Sequence, residues 1–104
     1  MKVSFLGSRV EKFVEELPKP TISQVLQVIG QLEKFGNHLG PPHSKKVNKD
    51  IFELRTIGQI SVRLLYFFHN GEAVILNAFV KKTDKIPKRE LENAVKRMGL
   101  LRHI

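Results

Sequence analysis

Three runs of alternating apolar and polar side chains in the middle of the chain constrain its fold more than any other feature. They cover residues 51–56, 60–68 and 73–80. A period of two is typical of strands that turn one face to a core. Between the second and third runs, Asn70 and Gly71 form a dipeptide that accepts positive φ at both central positions of a type I′ turn. The pattern predicts three consecutive strands joined as a meander.

A short strand and three helices are predicted around this meander. Residues 2–6 alternate like a strand, and Ser8 and Thr21 each begin a helix as the first residue of a capping box. A Pro-Lys-Pro sequence ends the first of these helices, and Gly36 ends the second. Pro87 opens the last helix. The predicted order is β-α-α-β-β-β-α, which is an α+β fold.

The length and composition fit one domain that covers residues 1–104. Apolar residues make up 41% of the chain, which is enough for a core in a domain of this size. Residues 37–44 contain a Gly-Pro-Pro sequence and are predicted to be the longest loop. No apolar run is long enough for a signal peptide or a membrane span, and the chain has no cysteine. A cytoplasmic protein without disulfides or a membrane partner is therefore expected.

The charge of the chain is concentrated in its C-terminal part. Residues 1–40 carry 5 basic and 4 acidic side chains (+1), whereas residues 41–104 carry 13 and 6 (+7). An uneven basic field favours a polyanion such as nucleic acid, or an acidic protein segment, as a partner. An ordinary solvated lysine-rich surface explains the same composition.

Several of these basic residues fall on the predicted strands so that a folded sheet could gather them. Strand alternation puts Arg55 on the same face as Glu53, and Arg63 can share that face if the two strands are neighbours. Lysines lie at both ends of the meander, at positions 45, 46, 81 and 82. Such a cluster repels itself unless an anion fills it, which favours a phosphate site. Alternatively, Arg63 simply pairs with Glu53, and the lysines are solvated residues of a strand edge.

Other kinds of site have little support in the sequence. No glycine-rich phosphate loop is present, so no nucleotide cofactor is expected. The four histidines, His38, His43, His69 and His103, lack the spacing of metal ligands, and no metal is expected. Tyr66, the only tyrosine, falls on the strand face opposite Arg63 and is predicted to be a core residue.

Four segments between residues 52 and 94 carry a resemblance to a known family, and the predicted order of strands and helices agrees with that family over nearly the whole chain. These are the sequences FELR at 52–55, RLLYFF at 63–68, NAFVKKT at 77–83 and PKRELENA at 87–94. They resemble the phage-derived, HigB-like branch of the RelE/ParE toxin superfamily. The resemblance implies two helices packed on one face of a largely antiparallel sheet. It also implies the toxin of a type II toxin–antitoxin system that cuts mRNA on the ribosome without a metal, using the RNA 2′-hydroxyl as the nucleophile.

The resemblance also implies roles for particular residues and partners. By position in the motif, Arg55 and Arg63 bind the phosphate, Lys81 or Lys82 stabilises the leaving oxygen, and Lys46 takes a proton. His43 is a possible substitute for a C-terminal catalytic histidine. The implied partners are the ribosome, mRNA and a cognate antitoxin, expected to be a helix-turn-helix protein. Further RNA contacts are expected from Lys45, Lys49, Lys85, Lys88 and Arg89.

Two other functions remain open at this point. The chain could be a ParE-like toxin that binds a protein target such as gyrase and cuts no RNA. It could also be an inactive, phage-derived module that binds nucleic acid. All three functions predict salt-sensitive binding, so the products formed from mRNA are what distinguishes them.

Overall fold

The computed structural model describes residues 1–102 and contains one five-stranded sheet with helices on both faces. The elements, in chain order, are β1 (Val3–Phe5), α1 (Ser8–Glu15), α2 (Lys19–Phe35), a 3₁₀ turn (Gly36–His38), β2 (Ser44–Lys46), β3 (Phe52–Arg55), β4 (Val62–His69), β5 (Glu72–Val80) and α3 (Lys88–Arg102). The sheet order is β1-β5-β4-β3-β2. The pairing is antiparallel except between β1 and β5, which run parallel.

The predicted meander and the predicted α+β class are confirmed. Strands β3, β4 and β5 are consecutive antiparallel neighbours. The turn between β4 and β5 has φ of 51° at Asn70 and 77° at Gly71, the left-handed geometry that its sequence favours. The structure adds one strand to the predicted order, because Ser44–Lys46 pairs with β3 as strand β2. The predicted loop at 37–44 therefore ends one residue earlier, at His43. The order of elements becomes β-α-α-β-β-β-β-α.

Both predicted capping boxes are wrong. Helix α1 follows Gly7, whose φ of 78° gives the turn into the helix, and no side chain caps it. The N-cap of α2 is Pro18, three residues before the predicted N-cap Thr21, which lies buried inside the helix. The reason is Pro20, which fits the first turn of a helix because that turn leaves its backbone N–H groups unbonded anyway.

Two apolar cores lie on opposite faces of the sheet. The first lies under α1 and α2 and includes Val14, Leu32, Leu54 and Tyr66. The second lies under α3 and includes Leu65, Phe67, Leu76, Ala94 and Met98. The two N-terminal helices therefore pack on one face, as the resemblance implied, and α3 covers part of the other. Over residues 1–102, no helix has the length and apolar character needed to cross a membrane.

The hydroxyl of Tyr66 ties the short edge strand β2 to the first core. Tyr66 is 1% exposed, and its hydroxyl lies 2.5 Å from Ser44 Oγ. This confirms the prediction of a core tyrosine. Burial raises the pKa of Tyr66 above its ordinary value of 10, and the hydrogen bond between Tyr66 and Ser44 opposes that rise.

Titration of Tyr66 is expected to be coupled to unfolding at high pH. Above pH 10 the unfolded chain loses the phenolic proton while the folded chain keeps it, so stability is intact below pH 10 and falls as pH rises further. We expect a loss of at most about 1.4 kcal/mol per pH unit in that window, the limit for one proton. Because the chain has one tyrosine and no tryptophan, phenolate absorbance reports this group alone. A Tyr66→Phe variant should lose stability less steeply above pH 10, and an equal slope would contradict the assignment.

Candidate functional site

The register of β3 and β4 brings two arginines and one glutamate onto a single face of the sheet. Arg55 and Arg63 are direct cross-strand partners. Glu53, two residues before Arg55, lies on the same side by alternation. Leu54 packs in the first core, so Arg55 and Glu53 turn toward the α3 face. The prediction that both guanidiniums share one face is confirmed.

Glu53 binds both arginines through one carboxylate oxygen. Its Oε1 lies 3.0 Å from Arg55 Nε and 3.3 Å from Arg63 Nε. The Glu53 side chain is 3% exposed, against 31% for Arg55 and 11% for Arg63. Neither Nε–H is oriented for a hydrogen bond, so the contacts are ion pairs held mainly by charge. Arg63 therefore pairs with Glu53 and is also part of a cluster of cations. The two alternatives that the sequence left open are both present in the structure.

Two adjacent clefts open beside this group, and we call them the cationic clefts. The first has a volume of about 290 Å³ and the second about 370 Å³. Arg55, Lys81 and Asp84 line both of them, which makes these residues the boundary between the two. The other charged residues of the lining are Lys45, Lys46, Glu53 and Lys85 in the first cleft and Arg63 and Lys82 in the second.

The lining charge of the cationic clefts is strongly positive. Seven side chains are Lys or Arg and two are carboxylates, which leaves an excess of five positive charges. Burial lowers the pKa of Arg63, Glu53 raises it, and neighbouring Arg55 lowers it further. Arginine nevertheless stays protonated in proteins, so both guanidiniums keep their charge. The planar guanidiniums of Arg55 and Arg63 can therefore each donate two hydrogen bonds to an anion in the clefts. This arrangement matches the oxygens of a phosphate.

The clefts contain most of the residues predicted for the site, but Lys46 differs from the others. The ammonium of Lys46 lies 5.9 Å from the ring centroid of Phe52, its cross-strand partner. Phe52 packs in the first core, on the face of the sheet opposite Arg55. The structure therefore separates this ammonium from the arginine pair, although Lys46 is part of the cleft wall.

Three residues predicted to bind RNA lie outside the cationic clefts. Lys49 is an exposed residue of the bend between β2 and β3. Lys88 pairs with Glu92 along the exposed side of α3, at 3.9 Å. Arg89 lines a separate groove between α1 and α3. Lys88 and Arg89 follow Lys85 closely in sequence, but they lie on α3, where successive residues point in different directions, so neither joins Lys85 in the cleft wall.

The sequence reasoning missed the importance of two carboxylates in this site. Glu53 was predicted only as a charge partner, which is confirmed, yet it is the buried residue on which both arginines converge. Asp84 was not singled out, because it lies in an irregular segment where neither strand alternation nor helical spacing predicts where its side chain points. The one sequence feature that indicates Asp84 is its closeness to Lys81, three residues earlier.

The histidines take no part in the cationic clefts among residues 1–102. His43 lines a pocket on the α2 side of the sheet, with three glutamines. Its backbone is still close to the site, because Arg55 N–H donates to the His43 carbonyl oxygen at 2.8 Å. His103 falls outside the described residues.

Comparison with known proteins identifies one family for this chain. Residues 12–99 match the sequence model of the family described as phage derived protein Gp49-like (DUF891). The matched range covers all seven cations of the cationic clefts and both carboxylates. A comparison with curated proteins finds no match.

Proposed function

The chain belongs to the Gp49-like family of phage-derived proteins, a RelE-like toxin family, and we propose that it cleaves mRNA on the ribosome as the toxin of a type II toxin–antitoxin pair. The observation that supports cleavage best is the convergence of Arg55 and Arg63 beside clefts with an excess of positive charge. Placement in the HigB-like branch is part of the same proposal. Action on ribosomes would place the protein in the cytoplasm.

The proposed reaction is an internal transesterification of RNA. The 2′-hydroxyl oxygen attacks the adjacent phosphorus, and the bond from phosphorus to the 5′-oxygen breaks. The products are a 2′,3′-cyclic phosphate and a 5′-hydroxyl, so one proton leaves the nucleophile and another reaches the leaving oxygen. Arg55 and Arg63 would donate to the non-bridging oxygens, where negative charge increases in the transition state. This electrostatic contribution needs guanidiniums that are fixed before the substrate arrives.

Each proton transfer can be assigned to a residue of the clefts. A proton acceptor must be deprotonated at neutral pH, which favours a carboxylate over a lysine. Asp84 is exposed and lines both clefts, whereas Glu53 is buried against the arginines. We therefore assign proton acceptance to Asp84 in place of Lys46, and donation to the leaving oxygen to Lys81, with Lys82 next to it. Glu53 is a positioning residue in this scheme.

A direct test maps mRNA ends after incubation of the protein with translating ribosomes. We expect cuts in phase with codons and new ends that carry a 5′-hydroxyl. Replacement of Asp84 by Asn should slow this cleavage about a hundredfold, the scale of a positioned proton acceptor. Binding of the same RNA should weaken little, since the change removes a negative charge from a basic surface.

Asp50→Asn is the matched control for that variant. Asp50 pairs with Arg102 at 3.1 Å and does not line either cleft, so this variant should cleave at the unmodified rate. Growth arrest with intact mRNA would instead favour a toxin that binds a protein target. Intact mRNA without growth arrest would favour an inactive module.

The toxin family implies an antitoxin partner, and the charge of the clefts indicates how it would bind. We propose that an acidic segment of the antitoxin covers the cationic clefts. Such a segment would neutralise part of the excess positive charge and block entry of RNA. The helix-turn-helix character of this antitoxin remains a prediction.

A further inference from the structure

A small uncharged pocket lies at the same end of the sheet as the cationic clefts, on the side of α2. Its volume is about 140 Å³. We call it the amide pocket, and its lining consists of Gln24, Gln27, Val28, Gln31, His43 and Ile57. No charged side chain belongs to this lining within residues 1–102, although the chain carries a net charge of +8. Its chemistry therefore differs from that of the clefts beside it.

The polar groups of the amide pocket come from one helix face and one loop. Gln24, Gln27 and Gln31 are three and four residues apart, so their side chains lie above one another along α2. The amide of Gln24 packs against Gly58 in the loop between β3 and β4, where a Cβ would collide with it. His43 Nδ1 is buried and has no hydrogen-bond partner. A buried polar atom without a partner costs free energy unless a ligand or water satisfies it.

Two apolar side chains complete the lining of the amide pocket. Val28 is buried, and Ile57, in the loop between β3 and β4, is 64% exposed. An exposed isoleucine of this kind offers an apolar surface against which a planar ring can pack. Amides supply both donors and acceptors, which is the combination that reads the edge of a nucleobase. No Lys or Arg belongs to the lining of the amide pocket within residues 1–102, so the pocket is a poor site for a phosphate.

The amide pocket and the cationic clefts are linked by the backbone of β3. Arg55 N–H donates to the His43 carbonyl oxygen at 2.8 Å, and Ile57 of the pocket follows Arg55 by two residues. The Arg55 side chain turns toward α3 and the pocket lies on the side of α2, so an RNA strand bound at Arg55 would pass around this end of the sheet to bring an unstacked base to His43 and the glutamines.

We propose that the amide pocket binds an unpaired nucleobase of the RNA and makes the protein selective for sequence. The proposal rests on the proposed function for its ligand, but base selection in binding needs neither the ribosome nor cleavage. Adenine is the expected preference, because a glutamine amide can both donate to and accept from its edge.

The test measures binding of short oligoadenylate, oligocytidylate and oligouridylate by fluorescence anisotropy. We expect the unmodified protein to favour oligoadenylate about tenfold, within the range of one well-formed contact to a base. The double variant Gln27→Ala/Gln31→Ala should bind all three oligomers with similar affinity. Alanine favours a helix, so α2 should remain folded, which thermal unfolding would verify. The salt dependence of binding should be unchanged, since no phosphate contact is removed.

Gln59→Ala is the matched control, because Gln59 is an exposed glutamine outside the pocket lining. It should keep the preference of the unmodified protein. Equal affinity of the unmodified protein for all three oligomers, or a preference that survives in the folded double variant, would overturn the proposal. If the preference is lost in the double variant while ribosomes yield no cut mRNA, the amide pocket stands and the proposed cleavage fails.

Discussion

Replacement of Arg63 by alanine is expected to slow mRNA cleavage by roughly 10²- to 10³-fold, or about 3 kcal/mol of transition-state stabilisation. Arg63 is fixed before substrate binds, because Glu53 Oε1 lies 3.3 Å from its Nε and only 11% of its side chain is exposed. Its Nη1 also donates to the Val62 carbonyl oxygen at 3.2 Å. A donor with so little freedom needs no rearrangement when charge increases on the phosphate oxygens. Single-turnover cleavage on ribosomes measures this effect.

Two different substitutions distinguish what the geometry of Arg63 contributes to the cleavage rate from what its charge contributes. Arg63→Lys keeps a positive charge but loses the planar donors and the Nε contact to Glu53, so it should recover only a small part of the rate. Arg102→Ala removes an equal charge outside the clefts and should cleave normally, because Arg102 pairs with Asp50 and lines neither cleft. If Arg63→Ala cleaved as fast as Arg102→Ala, Arg63 would have no part in catalysis.

Arg55 should matter in a different way from Arg63. It is 31% exposed and lines both clefts, so it has more freedom and more contact with solvent. In the proposed mechanism both arginines donate to the reacting phosphate, and Arg55 also binds the RNA along its path through the two clefts.

The alternation of β3 and β4 was enough to predict the shared face of the two arginines. In a meander these two strands are neighbours, and each turns an apolar residue beside its arginine, Leu54 or Leu64, into the first core, so both arginines point to the other side. The same reasoning could not find β2. Ser44–Lys46 has no apolar period, and it becomes a strand only because β3 offers hydrogen bonds at its edge and Tyr66 bonds to Ser44.

The position of Asp84 and the amide pocket were also beyond prediction from the sequence. Asp84 lies in an irregular segment, so its direction depends on how that segment closes over β5. The glutamines of α2 have a helical spacing, but nothing in their spacing reveals that His43, from a loop, lies opposite them. Contacts between distant segments without a period are set by the packed fold as a whole.

Replacement of Glu53 by glutamine is expected to destabilise the fold while it tightens the binding of anions. Glu53 is 3% exposed and its Oε1 contacts both arginines, so the change leaves two guanidiniums close together without a counter-charge. Breaking a buried ion pair in this way costs about 3 to 5 kcal/mol, and the lower end applies because Arg55 is partly solvated. The melting temperature should fall by roughly 15 °C for a domain of this size.

The control for this change is Glu92→Gln, which breaks the exposed contact to Lys88 at 3.9 Å and should cost about 0.5 kcal/mol or less. Inorganic phosphate should restore part of the stability lost in Glu53→Gln, because an anion that binds only the folded state stabilises it. The variant should also bind RNA more tightly, because the site loses one negative charge. It should cleave RNA more slowly, because the two guanidiniums lose the carboxylate that fixes their orientation. A Glu53→Gln protein as stable as the unmodified one, with phosphate raising both melting temperatures equally, would show that the arginines need no carboxylate between them. The cationic clefts would then owe their geometry to the sheet alone.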